Sequence, residues 1–317
     1  MYEVAIWTPV NKTEGFGHFY RMMGLYEQLL ENDISTTYFT NSEYIKLEQV
    51  DILQCITVKI KEVIDFLKSS LIKVLIIDNY NITLEDLGYI SKYFKVVFFD
   101  AKFKNPNVDV IINFNPYAFE HYLTKHDSTM YFLGLEHMYF RKDLMDIQNI
   151  SIKKDTVFIS IGGTDITETT YDLLKYLPDN LIYHIILGKG CSDKYHQRIF
   201  QYLEDNNFIF HIYIQPNNYF ELMSQCEFAI CSCSTTTYEL IFLDKQFLCI
   251  NVISNQNMIT SYLNKQGVVT FKKDCLKGIG KIIKLKRSKK PTYKKNKYST
   301  VLVNTIKILS NKELGYE

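Results

Sequence analysis

The segment Glu14-Gly-Phe-Gly-His18-Phe-Tyr-Arg21 offers the residue types for acid–base chemistry in a glycine-lined turn. It lies between a short apolar run, Val4–Thr8, and an amphipathic stretch, His18–Leu30, so it reads as the loop from a first strand into a first helix. Gly15 and Gly17 permit a tight turn and a close approach of backbone to ligand. His18 then falls on the first helical turn, where the positive end of the helix dipole disfavours imidazolium. A neutral ring able to accept a proton is one reading of His18; a structural histidine beside a glycine turn is the other, and spacing alone leaves both open.

Other segments repeat the strand–polar loop–helix plan. Ile161-Gly162-Gly163-Thr164-Asp165 places two glycines and a hydroxyl where helix-start amides form an anion cradle suited to a diphosphate, or simply a turn with an aspartate cap. It lacks the Lys-Ser/Thr ending of a P-loop, which disfavours that mode of ATP hydrolysis. Ser232-Cys-Ser234-Thr235-Thr236-Thr237-Tyr-Glu239 is a second loop of this kind, with Glu239 placed to accept the hydroxyls of a ribose or to complement the helix dipole. Ile76-Ile-Asp78-Asn-Tyr80 ends a buried strand with groups able to reach a substrate or orient His18. Asn255-Gln256 offers two amides beyond another strand. Cys231 and Cys233 share one face of a strand, but no partners follow at zinc-ligand spacing, and no Asp-x-Asp pair occurs.

These segments need two parallel sheets to position them. Apolar runs Val74–Ile77, Val96–Phe99 and Val108–Ile112 alternate with a helical stretch near Leu84–Tyr93 in the first half. A polar stretch, Arg141–Asp155, breaks the rhythm and reads as a linker. The second half resumes with strands at Val157–Ile161, Leu181–Leu187, Phe208–Tyr213, Phe228–Cys231 and Phe247–Val252. Helices are expected from the Gly162 loop to about Leu177 and at Lys194–Leu203, Tyr219–Ser224, Thr236–Leu243 and Met258–Lys265. The fold class is therefore α/β, two Rossmann-like doubly wound domains facing a cleft, with residues 1–146 and 155–285 as the domains. Residues 286–317 form a basic tail and terminal helix.

Composition bounds the function. Length 317, 47% apolar and 22% charged residues suit two ordinary globular cores. Lys plus Arg at 36 against 35 acidic residues gives net charge +1, so no whole-protein field for nucleic acid exists. Seven cysteines without a CxxC pair, no secretory leader pattern and no membrane-spanning run point to a cytoplasmic protein with reduced thiols. The run 286–297 carries seven basic residues. It serves either as a solvated linker into a last helix, Val301–Leu309, or as a contact with anionic lipid, worth about 1 kcal/mol per basic residue near the surface.

Taken together, Gly15-Phe-Gly-His18-x-x-Arg21, Ile76-Ile-Asp78-x-Tyr80, Asn113-x-Asn115-x-Tyr117-Ala118, Gly134 with Arg141, Ile161-Gly-Gly-Thr-Asp165, Glu239 and Asn255-Gln256 resemble the UDP-sugar hydrolases of pseudaminic acid biosynthesis. That family shares the GT-B architecture of the lipid-II-forming N-acetylglucosaminyltransferases. The resemblance covers residues from about 1 to 275. It implies a metal-independent reaction without cofactor, in which His18, with Asp78 and Tyr80, activates water to attack the anomeric carbon of a UDP-sugar. It further implies that Gly162, Gly163, Thr164, Ser234, Thr235 and Thr236 meet the diphosphate and that Glu239 holds the ribose. Gly17, Arg21, Asn255 and Gln256 would contact substrate. Asn79 and Ala101 depart from the family's usual histidine and aspartate, both on the sugar side. The alternative is an inverting glycosyltransferase using a UDP- or CMP-sugar, its acceptor hydroxyl replacing water.

Overall fold

A computed structural model describes residues 2–9, 17–40, 50, 52–55, 59–148, 150–165, 167–188, 190–285, 288–291 and 300–311. The chain divides into two units, Met1–Lys142 with Asn296–Glu317, and Asp143–Lys295.

In the first unit the strands are β1 (Val4–Trp7), β2 (Thr36–Thr40), β3 (Ile52–Gln54), β4 (Val74–Ile77), β5 (Lys95–Phe99), β6 (Val110–Asn113) and β7 (Met130–Leu133). They form one parallel sheet in the order β3-β2-β1-β4-β5-β6-β7. Val-Ala-Ile-Trp of β1 and Val-Leu-Ile-Ile of β4 are buried throughout, as strands covered on both faces must be. Helices α1 (Gly17–Glu31), α2 (Ile60–Ser69) and α3 (Leu84–Ile90) connect them. Apolar spacing gives α2 its buried stripe Val63, Ile64 and Leu67. Thr83 and Asp86 cap α3 reciprocally, each side chain bonding the other's amide at 3.0 and 3.2 Å.

After the short α4 (Lys142–Met145), the second unit builds β8 (Lys153–Ser160), β9 (Ile182–Leu187), β10 (Ile209–Ile214), β11 (Cys226–Ser232), β12 (Gln246–Asn251) and β13 (Thr270–Lys272). This sheet is also parallel, ordered β10-β9-β8-β11-β12-β13. Its helices are α5 (Thr169–Leu174), α6 (Asp193–Asp205), α7 (Tyr219–Gln225), α8 (Thr236–Phe242), α9 (Asn257–Lys265) and α10 (Ile279–Leu285). Gly267 follows α9 at φ +81°, the left-handed stop expected of a glycine there. The last helix, α11 (Thr300–Asn311), belongs with the first unit and buries Leu302, Val303, Ile306 and Leu309. Lys307 Nζ donates to the Asn32 carbonyl at 3.4 Å. Of the basic run, Ser288–Pro291 is described. Ser288 Oγ accepts from the Val269 amide at 3.1 Å, and Lys290 pairs with Asp244 at 3.0 Å. Among the described residues no helix is long and apolar enough to cross a membrane.

Both sheets reverse strand order at one point, between β1 and β4 and between β8 and β11, where crevices open at the strands' carboxyl ends. In the first unit this places the start of α1 beside Asp78; in the second it places the Gly162 turn beside Ser232–Thr236.

Helix α1 is fixed at close range. A Cβ at Gly24 would lie 2.4 Å from the Tyr139 carbonyl oxygen and 2.5 Å from the Phe140 carbonyl. Backbone cannot yield as a flexible side chain does, so Gly24→Ala is expected to destabilise the protein by about 1–3 kcal/mol in chemical denaturation. Gly88 in α3 has nothing within 4 Å of such a Cβ. Gly88→Ala should therefore be neutral or stabilising by up to about 1 kcal/mol. Equal losses from both substitutions would contradict this packing.

Candidate active site

His18 sits on the first turn of α1 and Asp78 directly follows β4, so adjacency of β1 and β4 brings them together across 60 residues of sequence. Asp78 is fully buried. Its Oδ1 lies 3.0 Å from His18 Nδ1, and Arg21, one helical turn after His18, donates from Nε to Oδ2 at 2.5 Å and from Nη2 to Oδ1. Arg21 Nη1 also donates to the Tyr80 hydroxyl at 2.9 Å. The Tyr80 ring meets the His18 ring edge-on, with centroids 4.3 Å apart.

Two groups of opposite hydrogen-bonding character meet the same imidazole nitrogen. His18 Nδ1 lies 3.0 Å from a carboxylate oxygen and 2.6 Å from Arg21 Nη2. An ionised carboxylate only accepts and a guanidinium only donates. Asp78 Oδ1 can accept from a protonated Nδ1 and Arg21 Nη2 can donate to an unprotonated one; in the first arrangement the Nε2 lone pair is available as a base. The carboxylate is ionised despite its burial. Desolvation would raise it, but Arg21 and then His18 hold it down at about 2. The Arg21 guanidinium, lowered by burial, is raised more by Asp78 and Tyr80. Arg21 acts as the clamp on the carboxylate, with Nε and Nη2 on Asp78 and Nη1 on Tyr80.

Residues after β5 close in on the same ring. Lys102 Nζ stands 4.9 Å from the Tyr80 ring centroid, and Lys104 Nζ donates to the Tyr80 carbonyl at 3.0 Å and to that of Ile82. Asp100, buried at the end of β5, holds this loop by accepting from the Lys104 and Asn105 amides at 2.8 and 2.7 Å and from the Tyr122 hydroxyl at 2.9 Å. Asn113 Nδ2 donates to the Asp100 carbonyl at 2.7 Å, and Asn115 Nδ2 donates to Asn113 Oδ1 at 2.7 Å. These asparagines therefore build the loop. The Asn79 Oδ1 accepts from the Asn81 amide at 2.9 Å, closing a local turn. Neither lysine stands out in the sequence; their position just past a strand's carboxyl end is the available signal.

In the second unit Gly162 and Gly163 present exposed backbone, Gly162 at φ +134°, and a Cβ at either position would have nothing within 4 Å. The turn is braced from below, where the Gly190 amide donates to the Gly163 carbonyl at 3.1 Å and a Cβ at Gly188 would lie 2.0 Å from that oxygen. The helix expected to start at these glycines starts later, which is a correction. Helix α5 begins at Thr169, and its first amides, Thr169 and Thr170, are both capped at 2.9 Å by the Asp165 carboxylate. Tyr195 OH donates to the same carboxylate at 2.6 Å. An anion at this turn would meet Gly162–Thr164 backbone rather than the helix end.

The Ser232–Thr236 loop runs directly into α8, with Ser234, Thr235 and Thr236 half-buried. Ser232 Oγ donates to Ser234 Oγ at 3.0 Å, and Thr237 Oγ1 donates to the Ser234 carbonyl at 2.7 Å. Tyr219, which no sequence pattern singles out, joins both loops. It donates to Ser160 Oγ at 3.4 Å, hydrogen-bonds Thr236, and lies close enough to Glu239 that burial and that carboxylate both push its hydroxyl up. Glu239 is half-buried in the first turn of α8. Asn255 is exposed on the turn after β12, whereas Gln256 is buried and its Oε1 accepts from the Val252 amide at 2.9 Å. Gln256 thus holds the turn through its Oε1. Gly17 opens α1; Glu14 and Gly15 lie outside the described residues. Among the described residues no group of three or more His, Cys, Asp or Glu is placed to hold a metal ion.

No protein-family model matches the chain. It is 24% identical over 261 residues, 80% of its length and 93% of the other's, to the UDP-2,4-diacetamido-2,4,6-trideoxy-beta-L-altropyranose hydrolase of Campylobacter jejuni. The crystal structure of Acinetobacter baumannii MurG superimposes with a TM-score of 0.65 at 10% identity, over 96% of this chain and 99% of that one. The S. aureus MnaA–UDP co-structure does so with a TM-score of 0.60 at 11% identity, over 98% and 97%. The fold is that of the GT-B proteins.

The Asp78 clamp has an acid signature. A carboxyl held at about 2, below its ordinary 3.8, contributes stability that is present above about pH 4 and is lost as pH falls toward 2. Removing the cation leaves burial to raise the group, so Arg21→Met should move the acid-unfolding midpoint to higher pH. It should also cost about 3–5 kcal/mol at neutral pH, by stranding a buried charge. Circular dichroism across a pH series checks both; an unchanged midpoint would refute the pairing.

Proposed function

We propose that the protein is a nucleotide-sugar hydrolase that releases UDP from a deoxy-acetamido hexose, in the assembly of a nonulosonic acid for a bacterial surface glycan. The observation that carries this reading is the His18–Asp78 pair, an imidazole held 3.0 Å from a buried carboxylate at a strand's carboxyl end. Similarity to the Campylobacter hydrolase across most of both chains supports the substrate class.

In this reaction His18 Nε2 accepts a proton from water as the water oxygen bonds to the anomeric carbon. The bond from that carbon to the diphosphate oxygen breaks, UDP departs with the electron pair, and configuration inverts. Asp78 stabilises the imidazolium that forms, and Arg21 keeps Asp78 ionised and in place. The backbone of the Gly162–Thr164 turn and the amides of Thr235 and Thr236 meet the charge developing on the leaving group. Glu239 accepts from the ribose hydroxyls. None of these steps requires a metal.

A second reading is favoured by one feature. Asn79 is turned into its own loop where the family carries a histidine, so the sugar side is built differently. An inverting glycosyltransferase with a UDP- or CMP-sugar donor would use the same dyad to deprotonate an acceptor hydroxyl.

Purified protein given a UDP-diacetamido-trideoxyhexose should release UDP in buffer alone. His18→Ala should lower kcat by about 10²–10⁴, the usual contribution of a positioned general base. Full turnover by His18→Ala would remove the proposed base. Release only upon addition of an acceptor would replace hydrolysis with transfer.

A further inference from the structure

The Tyr80 ring carries a cation that the hydrolysis of a neutral sugar does not use. Lys102 Nζ lies 4.9 Å from its centroid, while the His18 ring lies 4.3 Å from the same centroid. The ammonium, the Arg21 guanidinium (5.1 Å from the centroid) and the His18 ring thus all contact one aromatic ring. Lys102 is exposed and, among the described residues, takes part in no ion pair.

The surroundings do not neutralise it. Arg21 and Asp78 cancel one another. Lys104, the next cation on the loop, spends its donors on the backbone carbonyls of Tyr80 and Ile82. Its pKa is lowered by partial burial and then by the charge of Lys102, more than Asp100 and Asp86 raise it. Asp100 is itself occupied by two amides and the Tyr122 hydroxyl. Two like charges are therefore held near each other by a loop whose backbone is pinned at Lys104 and Asn105. An anion bound there would be attracted to both cations.

We propose that Lys102, backed by Lys104, forms an anion subsite beside His18, which takes a carboxylate or phosphate carried by the non-nucleotide half of the substrate. The inference rests on the reading of His18 as the base that acts at the sugar. The proposed donor sugar is neutral, so the charge belongs to the molecule whose hydroxyl is activated, as in the transferase reading; a charged donor, as in a hexuronate, is the other source the test distinguishes. In either case the cation selects among substrates by charge, whereas a neutral acetamido sugar alone would leave it unused.

Calorimetry separates the outcomes. UDP, UDP-glucose and UDP-glucuronate are titrated into wild type, Lys102→Ala, Lys102→Arg and Lys102→Glu. Glucose and glucose 6-phosphate are then titrated into the UDP-saturated proteins. The expected result is that the charged member of at least one pair binds about tenfold more tightly than its neutral counterpart, the worth of one charge-assisted hydrogen bond. Lys102→Ala should abolish that preference, Lys102→Arg keep it and Lys102→Glu invert it. The donor pair responding assigns the charge to the sugar; the second pair responding assigns it to the acceptor. No preference in either pair, or an equal loss for UDP and every ligand in Lys102→Ala (a contact with the diphosphate), overturns the subsite. Failure of UDP itself to bind wild type would instead strike at the nucleotide-sugar reading.

Discussion

A carboxylate with no solvent exposure is tolerated only where its charge is matched, because stranding it costs several kcal/mol. Asp78 meets that condition through Arg21, on whose guanidinium the ionised state depends. The pairing dictates much else in the first unit. Arg21 must lie one turn beyond the start of α1, which puts His18 on the same helical face and within reach of the same oxygen. Gly24 lets that helix settle against the Tyr139–Phe140 backbone. A helix displaced by even one side-chain carbon would part the guanidinium from the carboxylate and unseat the imidazole.

The two units solve related problems with one plan. Each is a parallel sheet whose strand order reverses once, and each gathers polar loops at that reversal. The first unit fills its crevice with a charge-compensated network of Asp78, Arg21, His18 and Tyr80. The second keeps its loops nearly side-chain-free at Gly162 and Gly163, and lines the neighbouring loop with small hydroxyls at Ser234–Thr236. Asp165 takes up the first α5 amides, while the backbone of the turn at Gly162 and Gly163 stays exposed.

Apolar runs make the sheets legible in the sequence where they are unbroken, as in β1, β4, β8 and β11. They do not mark β2, whose Thr-Thr-Tyr-Phe-Thr carries three threonine hydroxyls yet is buried throughout, or the short, half-buried β3 and β13. Hydroxyls bonded to nearby backbone, such as Thr36 to the Ile34 carbonyl, cost little inside a sheet but hide the strand from a hydrophobic pattern. Of the site, His18, Asp78 and Tyr80 are legible as strand-end and helix-start residues. The role of Arg21 is not, because a guanidinium near a glycine turn reads as a phosphate or substrate ligand until its partner 57 residues away is located. Gln256 is similar: an amide past a strand end suits a sugar, and the Oε1 of this one closes onto the Val252 amide. Contacts between residues distant in sequence, such as Tyr219 with Ser160, leave no local trace.

The proposed chemistry depends on one tautomer of His18, with the proton on Nδ1 facing Asp78 and Nε2 free to take another. Nitrogen-15 NMR of the imidazole side chains, with His18 assigned by His18→Gln, reads it directly. At neutral pH the expected result is a protonated Nδ1 and an unprotonated Nε2 for His18 in the wild type, with that tautomer bias lost in Asp78→Asn. A His18 protonated at Nε2 with a bare Nδ1 would place its lone pair against Arg21 and contradict the proposed chemistry.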